Sequence, residues 1–351
     1  MQPIYQYYLH HGKSIQMINV SVIVPCYNEQ ATICQLLDAI YNQTYPLDEV
    51  EVVIADGLSS DHTRAEINNF QLSHPKLDIR IIDNIRRIIP SGLNRAIEAA
   101  KGKYILRLDA HSIPNRDYIQ KCVKGLEEGS GDNIGGIWKI QSGASTWIAK
   151  AIALAASHPL AAGDARYRIG GAAQEVDTVP FGAFRKELIT RIGKFDETLL
   201  TNEDYEFNVR LKQSGGRIWM DPSIYSIYYA RSTLRALSKQ YWRYGYWKAQ
   251  MLRKYPKTLR WRQILPPMYV LALIGLGFLA LGWNLARWLL AIIVILYTIV
   301  IFVIGIQMSL KHKSSSLAIG IPLATATIHL SWGAAFLWGL LIKPNLNEPK
   351  K

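Results

Sequence analysis

The sequence predicts an α/β domain with a mostly parallel sheet and helices on both faces, followed by interfacial helices and about three transmembrane helices. Two observations predict this. Apolar strand-like runs alternate with helix-like runs through the first part of the chain, and after Arg262 three long stretches carry no Asp, Glu, Lys or Arg. A βαβα alternation implies parallel strands covered by helices.

The elements follow in order. Val20 to Pro25 reads as a buried strand, and a helical pattern runs from about Ala31 to Asn42. Val50 to Ala55 is a second strand that ends at Asp56-Gly57, before helix-like Thr63 to Phe70. Asp78 to Ile82 is a third strand, Gly92 to Ala100 a third helix, and Tyr104 to Leu108 a fourth strand. In such sheets ligands bind beyond the carboxyl ends of the strands. The first, second and fourth strands end in Tyr27-Asn28-Glu29, Asp56 and Asp109-Ala110-His111, so polar groups converge on one rim. No G-x-G-x-x-G follows the first strand and no P-loop lysine is present, which removes the main support for dinucleotide and P-loop readings.

Residues 263–286, 288–310 and 314–342 carry no charged side chain. Each is about the twenty residues or more that a helix needs to cross a bilayer core. Spans are expected at about 264–284, 288–308 and 317–341, with Trp283, Trp288 and Trp338 near their ends as interfacial anchors. Inside the third, His329 with Thr325, Thr327 and Ser331 reads as helix–helix hydrogen bonding rather than a proton relay.

The net charge of +13 suggests an anionic partner, and its distribution narrows the choice. From Arg231 to Arg262 there are ten Lys or Arg and no acid. Arg231, Arg235, Lys239 and Arg243 form one helical stripe; Leu234, Leu237, Tyr241 and Tyr244 form another. Directly before a span this reads as helices in the headgroup layer of a membrane rather than as a nucleic-acid surface. The chain therefore divides into a lead-in (1–18), a soluble domain (19–230), interfacial helices (231–262), a transmembrane region (263–342) and a tail (343–351).

The lead-in lacks a signal peptide's apolar core, and three cysteines without paired spacing fit a reduced compartment. The basic group before the first span, with Lys311 and Lys313, is expected on the cytoplasmic side, which leaves the tail outside. Lys350 and Lys351 oppose that placement, so a re-entrant third segment is the alternative.

Asp109 and His111, one residue apart at a turn, can share a divalent metal, although a solvated loop is the plain reading of D-x-H. Glu203-Asp204 opens a helical pattern that begins near Asn202, where acids also suit the helix dipole.

Four segments, VSVIVPCYNE, VVIADGLSSDHT, NRAIEAAKGKYILRLDAH and TNEDYEFNVRL, resemble in order the inverting glycosyltransferase family 2 with the GT-A fold. The resemblance covers about residues 19–250, and the three-span tail with D-A-H is similar to the succinoglycan-type exopolysaccharide branch. It implies that Pro25, Tyr27 and Glu29 hold the nucleotide base and ribose and that Asp56 contacts the base, where the residue alone also suits a turn before Gly57. Arg107, Asp109 and His111 would lie at the diphosphate and metal site. His111 stands where family members more often carry a carboxylate, and one oxygen with one nitrogen suits Mn²⁺ better than Mg²⁺, leaving either cation as the cofactor.

By the same resemblance Asp204, paired with Glu203, is the catalytic base. Gln240 and Arg243 match a Q-x-x-R-W motif near the diphosphate and acceptor, with Tyr244 in place of Trp; for Arg243, headgroup binding is an equal rival. Asp164, Tyr167 and Arg168, and the following PFGAF, match a variable region where acceptor and donor meet; for Gly182 within it a plain turn is as good a reading. The function implied is sugar transfer from a nucleotide-diphosphate donor, UDP-glucose preferred, to a lipid-linked polyprenyl-diphosphate acceptor at the cytoplasmic membrane. The rivals are a polyprenyl-phosphate monosaccharide transferase and a non-catalytic sugar-nucleotide-binding scaffold.

Overall fold

The computed structural model describes residues 18–344, so most of the expected lead-in and tail lies outside the described residues. Four parallel strands come first: β1 (Val20–Cys26), β2 (Val50–Asp56), β3 (Asp78–Asp83) and β4 (Tyr104–Arg107), in the order β3-β2-β1-β4. They are joined by α1 (Ile33–Tyr41), α2 (Thr63–Ser73) and α3 (Ile89–Ala99). Strands β1 and β2 are buried along nearly their whole length, which is why they read as unbroken apolar runs. The two polar groups inside them satisfy each other: Ser21 Oγ donates to Glu51 Oε1 at 2.6 Å, and Arg80 meets Glu51 Oε2 at 2.6 Å. Helix α3 starts three residues before the expected Gly92, because Ile88 is extended and Pro90 fits the first turn.

The second half completes a nine-stranded sheet in the order β3-β2-β1-β4-β8-β6-β9-β5, with β7 beside β9. Here the chain forms β5 (Ile113–Pro114), α4 (Tyr118–Glu127), β6 (Asn133–Ser142), α5 (Trp147–Ala156), α6 (Pro159–Ala162), α7 (Arg166–Ile169), β7 (Gln174–Glu175), β8 (Ala183–Arg185), α8 (Leu188–Ile192), α9 (Glu203–Gln213) and β9 (Ile218–Ala230). β8 runs antiparallel to β4 and β6, while β6 and β9 pair in parallel over the longest ladder of the sheet. Most paired residues thus lie in parallel ladders, as expected, with short antiparallel strands inserted. One apolar cluster fills each face: Leu36, Ile54 and Tyr104 on one side, Ile23, Leu93 and Phe207 on the other.

The chain then enters α10 (Leu234–Lys254), α11 (Trp261–Leu279), α12 (Asn284–Lys311) and α13 (Leu317–Leu341). The last three are long and apolar enough to cross a membrane. Helix α10 is capped by Thr233, whose Oγ1 accepts the Ala236 N–H at 3.2 Å. It buries Leu237 and Tyr241, half-buries Leu234 and Tyr244, and exposes Arg235, Lys239 and Arg243, whereas Arg231 of the expected basic stripe lies before the helix begins. Large apolar side chains on α11 and α12 face outward, among them Leu271, Phe278, Ile295 and Phe302. Helix α13 instead packs against α5 and α10.

Candidate active site

The loops after β1 and β2 are stapled together at the sheet rim. Asn28 adopts a left-handed conformation (φ 55°), which Asn tolerates, and its Oδ1 accepts the Ser60 N–H at 2.9 Å. Asp56 is fully buried and is spent on its own loop: it accepts the Ser59 N–H at 3.0 Å and pairs with Arg64 at 2.5 Å. Its turn role is therefore visible directly. Tyr27 is 46% exposed beside this loop, and Gly57 lies so near that a Cβ there would stand 3.1 Å from the Tyr27 ring.

At the end of β4, Arg107 is buried and gathers two acids. Its Nη2 donates to Asp109 Oδ1 at 3.1 Å and to Glu203 Oε1 at 2.9 Å, joining residues far apart in sequence. Burial works against its charge, but Asp109, Glu203 and Asp204 outweigh burial and hold the guanidinium above its ordinary range. Its Nε and Nη1 have no partner among the described residues. The Arg107 N–H donates to Gly182 O at 3.0 Å, so the left-handed Gly182 (φ 84°) braces the backbone beneath the site. A Cβ at Gly182 would stand 2.4 Å from Asn133 Oδ1.

The acid pair opens α9. Asn202 enters it left-handed (φ 69°), and its side chain does not cap the helix. Asp204 Oδ1 accepts the Tyr205 N–H at 2.7 Å. Burial and then the Glu203 charge push the Asp204 carboxyl up to about 6, against the opposing pull of Arg107. Opposite, His111 Nδ1 meets Glu29 Oε1 at 3.0 Å, and this contact raises the imidazole above its usual value despite burial.

Arg107, Asp109, Glu203 and Asp204 share one wall of a cavity of about 880 Å³. Its far end is built by Tyr269, Tyr297, His329 and Trp332 from α11, α12 and α13. A continuous space therefore leads from the acids at the sheet rim to the apolar helices.

Residues 21–193 match the family described as Glycosyl transferase family 2. The chain carries a family 2 glycosyltransferase domain. Over 322 residues it is 29% identical to the succinoglycan biosynthesis protein ExoA of Rhizobium meliloti, covering 91% of this chain and 94% of that protein. Over 332 residues it is 29% identical to a dolichyl N-acetyl-alpha-D-glucosaminyl phosphate 3-beta-D-2,3-diacetamido-2,3-dideoxy-beta-D-glucuronosyltransferase of Methanococcus voltae, covering 92% and 97%. In fold it is similar to the mannosyltransferase PcManGT from Pyrobaculum calidifontis, solved with GDP-Man and Mn²⁺ (TM-score 0.59, 22% identity, covering 89% and 87%). The GT-A fold is thereby shown, as is the glycosyltransferase class.

In this glycosyltransferase the expected residues fall into two groups. Arg107, Asp109, Glu203, Asp204 and Arg243 line the cavity, whereas Pro25 and Asp56, at the ends of β1 and β2, and Tyr27, Glu29 and His111, on the loops after β1 and β4, lie outside its wall. Gly182 also lies behind the wall, and Gln240 spends its amide on Tyr228 and Tyr244. The described residues contain no cluster of three or more metal-type side chains. Asp109 Oδ2 and His111 Nε2 nonetheless receive no hydrogen bond there, so one oxygen and one nitrogen are open beside each other's residue.

Sequence reasoning missed Lys248. It lies one turn beyond Tyr244 on the inner stripe of α10, a position that could have flagged it. Burial pushes its ammonium down to about 7, and Nζ donates to Thr258 O at 3.1 Å while standing 4.1 Å over the Tyr205 ring. Also unforeseen was the tie between α7's approach and α11: Asp164 pairs with Arg260 at 2.9 Å and with Arg262.

Proposed function

We propose that this enzyme inverts a sugar's anomeric centre while moving it from a nucleotide-diphosphate donor to a lipid-linked glycan acceptor. The observation that supports this best is the cavity, which joins the acid pair to apolar helices and suits an acceptor delivered from a membrane. The Methanococcus voltae relative, named for a dolichyl-linked acceptor, and the succinoglycan relative point the same way. The family resemblance makes UDP-glucose the preferred donor and a polyprenyl-diphosphate glycan the preferred acceptor.

In this reading Pro25, Tyr27, Glu29 and Asp56 seat the nucleoside, with Arg64 yielding Asp56 to the base. Arg107 orients Asp109 and Glu203 on the diphosphate side, and Gln240, Arg243 and Gly182 shape the acceptor side. Asp109 and His111 would hold Mn²⁺ or Mg²⁺, which when bound offsets negative charge on the departing diphosphate. Asp204 takes the proton of the attacking hydroxyl on Oδ2, since Oδ1 already accepts the Tyr205 N–H. Glu203, held by Arg107, keeps its neighbour's carboxyl basic enough for that task. Inversion follows from one in-line displacement, so no covalent sugar intermediate is needed. The catalytic domain sits on the cytoplasmic side, with Arg231, Arg235 and Lys239 on the headgroups.

The test is transfer of labelled donor sugar into native lipid extract, resolved by thin-layer chromatography. A lengthened oligosaccharide lipid supports the proposal, and a lipid-linked monosaccharide phosphate replaces it with the simpler lipid-phosphate transferase. Asp204→Asn is expected to lower turnover by roughly two to four orders of magnitude while sparing donor binding. Near-normal turnover in that variant would remove Asp204 as the base.

A further inference from the structure

Between the sheet and α10 lies a guanidinium with no acid beside it. Arg168, in the one-turn helix α7, stands 4.9 Å over the Trp138 ring and 5.4 Å over the Tyr167 ring. Its Nε donates to Tyr167 Oη at 3.3 Å, and among the described residues no Asp or Glu pairs with it. Arg107 and Arg262 on the same cavity wall each have a carboxylate. The titratable side chains around Arg168 are all tyrosines: Tyr167, Tyr241, Tyr244 and Tyr228.

The phenols are arranged as donors. Gln240 Nε2 donates to Tyr228 Oη at 2.8 Å and to Tyr244 Oη at 3.0 Å. An amide that gives its protons to both oxygens leaves both O–H groups free to donate elsewhere, and neither finds an acceptor among the described residues. Tyr167 Oη likewise accepts from Arg168 and keeps its proton. The Trp138 indole N–H, stacked 4.4 Å from Tyr228, is buried without a partner. Burial pushes the Tyr241 and Tyr244 phenols up, so they stay protonated. One fixed cation, three phenolic O–H groups whose oxygens already accept from Gln240 and Arg168, and an indole N–H complement an anion.

We propose that Arg168, with Tyr167, Tyr228 and Tyr244, binds the lipid-side phosphate of the diphosphate that joins the acceptor glycan to its lipid, as a subsite separate from that of the donor's diphosphate. This rests on the lipid-linked acceptor reading and deepens it. Placement favours the lipid. The cage lies against α10, whose outer face shows Arg235 and Lys239, and the cavity continues from Arg168 to Tyr269 and Tyr297 on the apolar helices. A phosphate held here would have its chain directed along those helices and its glycan toward Asp204. The donor side, at Asp109 and His111, lies on the loop after β4.

The experiment measures binding to the full chain in nanodiscs, without donor, using a polyprenyl phosphate, a neutral polyprenol of equal length and a nucleoside diphosphate. Arg168→Gln is expected to weaken the polyprenyl phosphate about tenfold or more. The same variant should leave the polyprenol and the nucleoside diphosphate within about twofold, which also reports an intact fold. Tyr244→Phe, which removes one hydroxyl and keeps the ring, should give a smaller loss in the same direction. Wild-type affinity for the polyprenyl phosphate in both variants would overturn the subsite, as would weakened nucleoside diphosphate binding in Arg168→Gln. Displacement by inorganic phosphate at the lipid's own concentration would make this a free-phosphate site and overturn it too. Since no sugar transfer is involved, absence of transfer to lipid would sink the proposed reaction alone. Normal transfer with Arg168-independent binding would sink the subsite alone.

Discussion

Asp204 and Glu203 are adjacent in sequence, yet their environments separate them. Glu203 is held against Arg107 at 2.9 Å, while Asp204 has only a backbone N–H and is pushed up to about 6 by burial and by Glu203's charge. A base must be ionised to act, so the rate should rise as pH climbs through about 6 and level off above it. Glu203→Gln removes the neighbouring negative charge and should move this acid limb down, toward the ordinary aspartate value of about 4. A pH–rate profile of kcat/KM for both enzymes checks this, and an unmoved limb would assign it to another group. The sequence made Asp109 and Asp204 legible through family motifs. It could not show that one buried arginine ties Asp109 to Glu203, the neighbour of Asp204, because that contact depends on how α9 docks against β4. Nor could it show that Asp56 is already occupied by Arg64, which stands eight residues downstream on a separate helix.

Among the helices, α10 and α13 approach each other closely at two glycines. A Cβ added to Gly245 would lie 2.3 Å from Trp332 O, and one on Gly339 would lie 2.8 Å from Tyr246 O. In an open helix Gly→Ala stabilises by about 0.5–1 kcal/mol. At Gly245 overpacking should prevail and cost about 1–3 kcal/mol, so Gly245→Ala is expected to lower the thermal midpoint. Gly275→Ala in α11, with nothing within 4 Å of the added carbon, should raise or hold it. Thermal unfolding in detergent compares them, and a stabilised Gly245→Ala would mean that the two helices do not pack as described.

The parallel strands β1 to β4 were readable because burial on both faces leaves continuous apolar runs. β6 and β9 were not, since Gly135-Gly136 and Pro222 break those runs. In the fold the two interruptions meet: a Cβ on Gly136 would stand 1.7 Å from Ile224 O, and the ladder shifts register between Gly135 and Ile137 beside Pro222. The bulge absorbs a proline that a regular ladder would reject.

For the whole molecule, the open question is how α13 meets the membrane, and its packing bears on the answer. Gly320 lies against Ala151 of α5, Ser331 Oγ meets Ser238 Oγ at 2.8 Å, and Gln250 Nε2 donates to Gly339 O at 2.8 Å and Ile342 O at 2.9 Å. Arg253 adds a bond to Leu340 O at 2.8 Å, a cation at a helix C-terminus where the dipole favours it. His329 is engaged by Tyr297 at 3.1 Å and by Leu160 O at 3.0 Å, the hydrogen-bonding role expected from sequence. Thus α13 runs alongside α10 from Ser331 to Ile342.

Helix α10 exposes Arg235, Lys239 and Arg243, and each would cost about 2.5–3.5 kcal/mol at the bilayer centre. We therefore expect α10 at headgroup level and α13, bound along it, there too. Helices α11 and α12, with outward apolar faces, would then form the crossing hairpin. On that expectation Lys343 lies on the catalytic side, in keeping with the positive-inside tendency. A cysteine at Lys343, in a Cys34→Ser background, should react with a membrane-impermeant maleimide in inside-out vesicles and stay protected in intact cells. Labelling from the outer side only would show that α13 crosses the bilayer and that its contacts with α10 give way in the membrane.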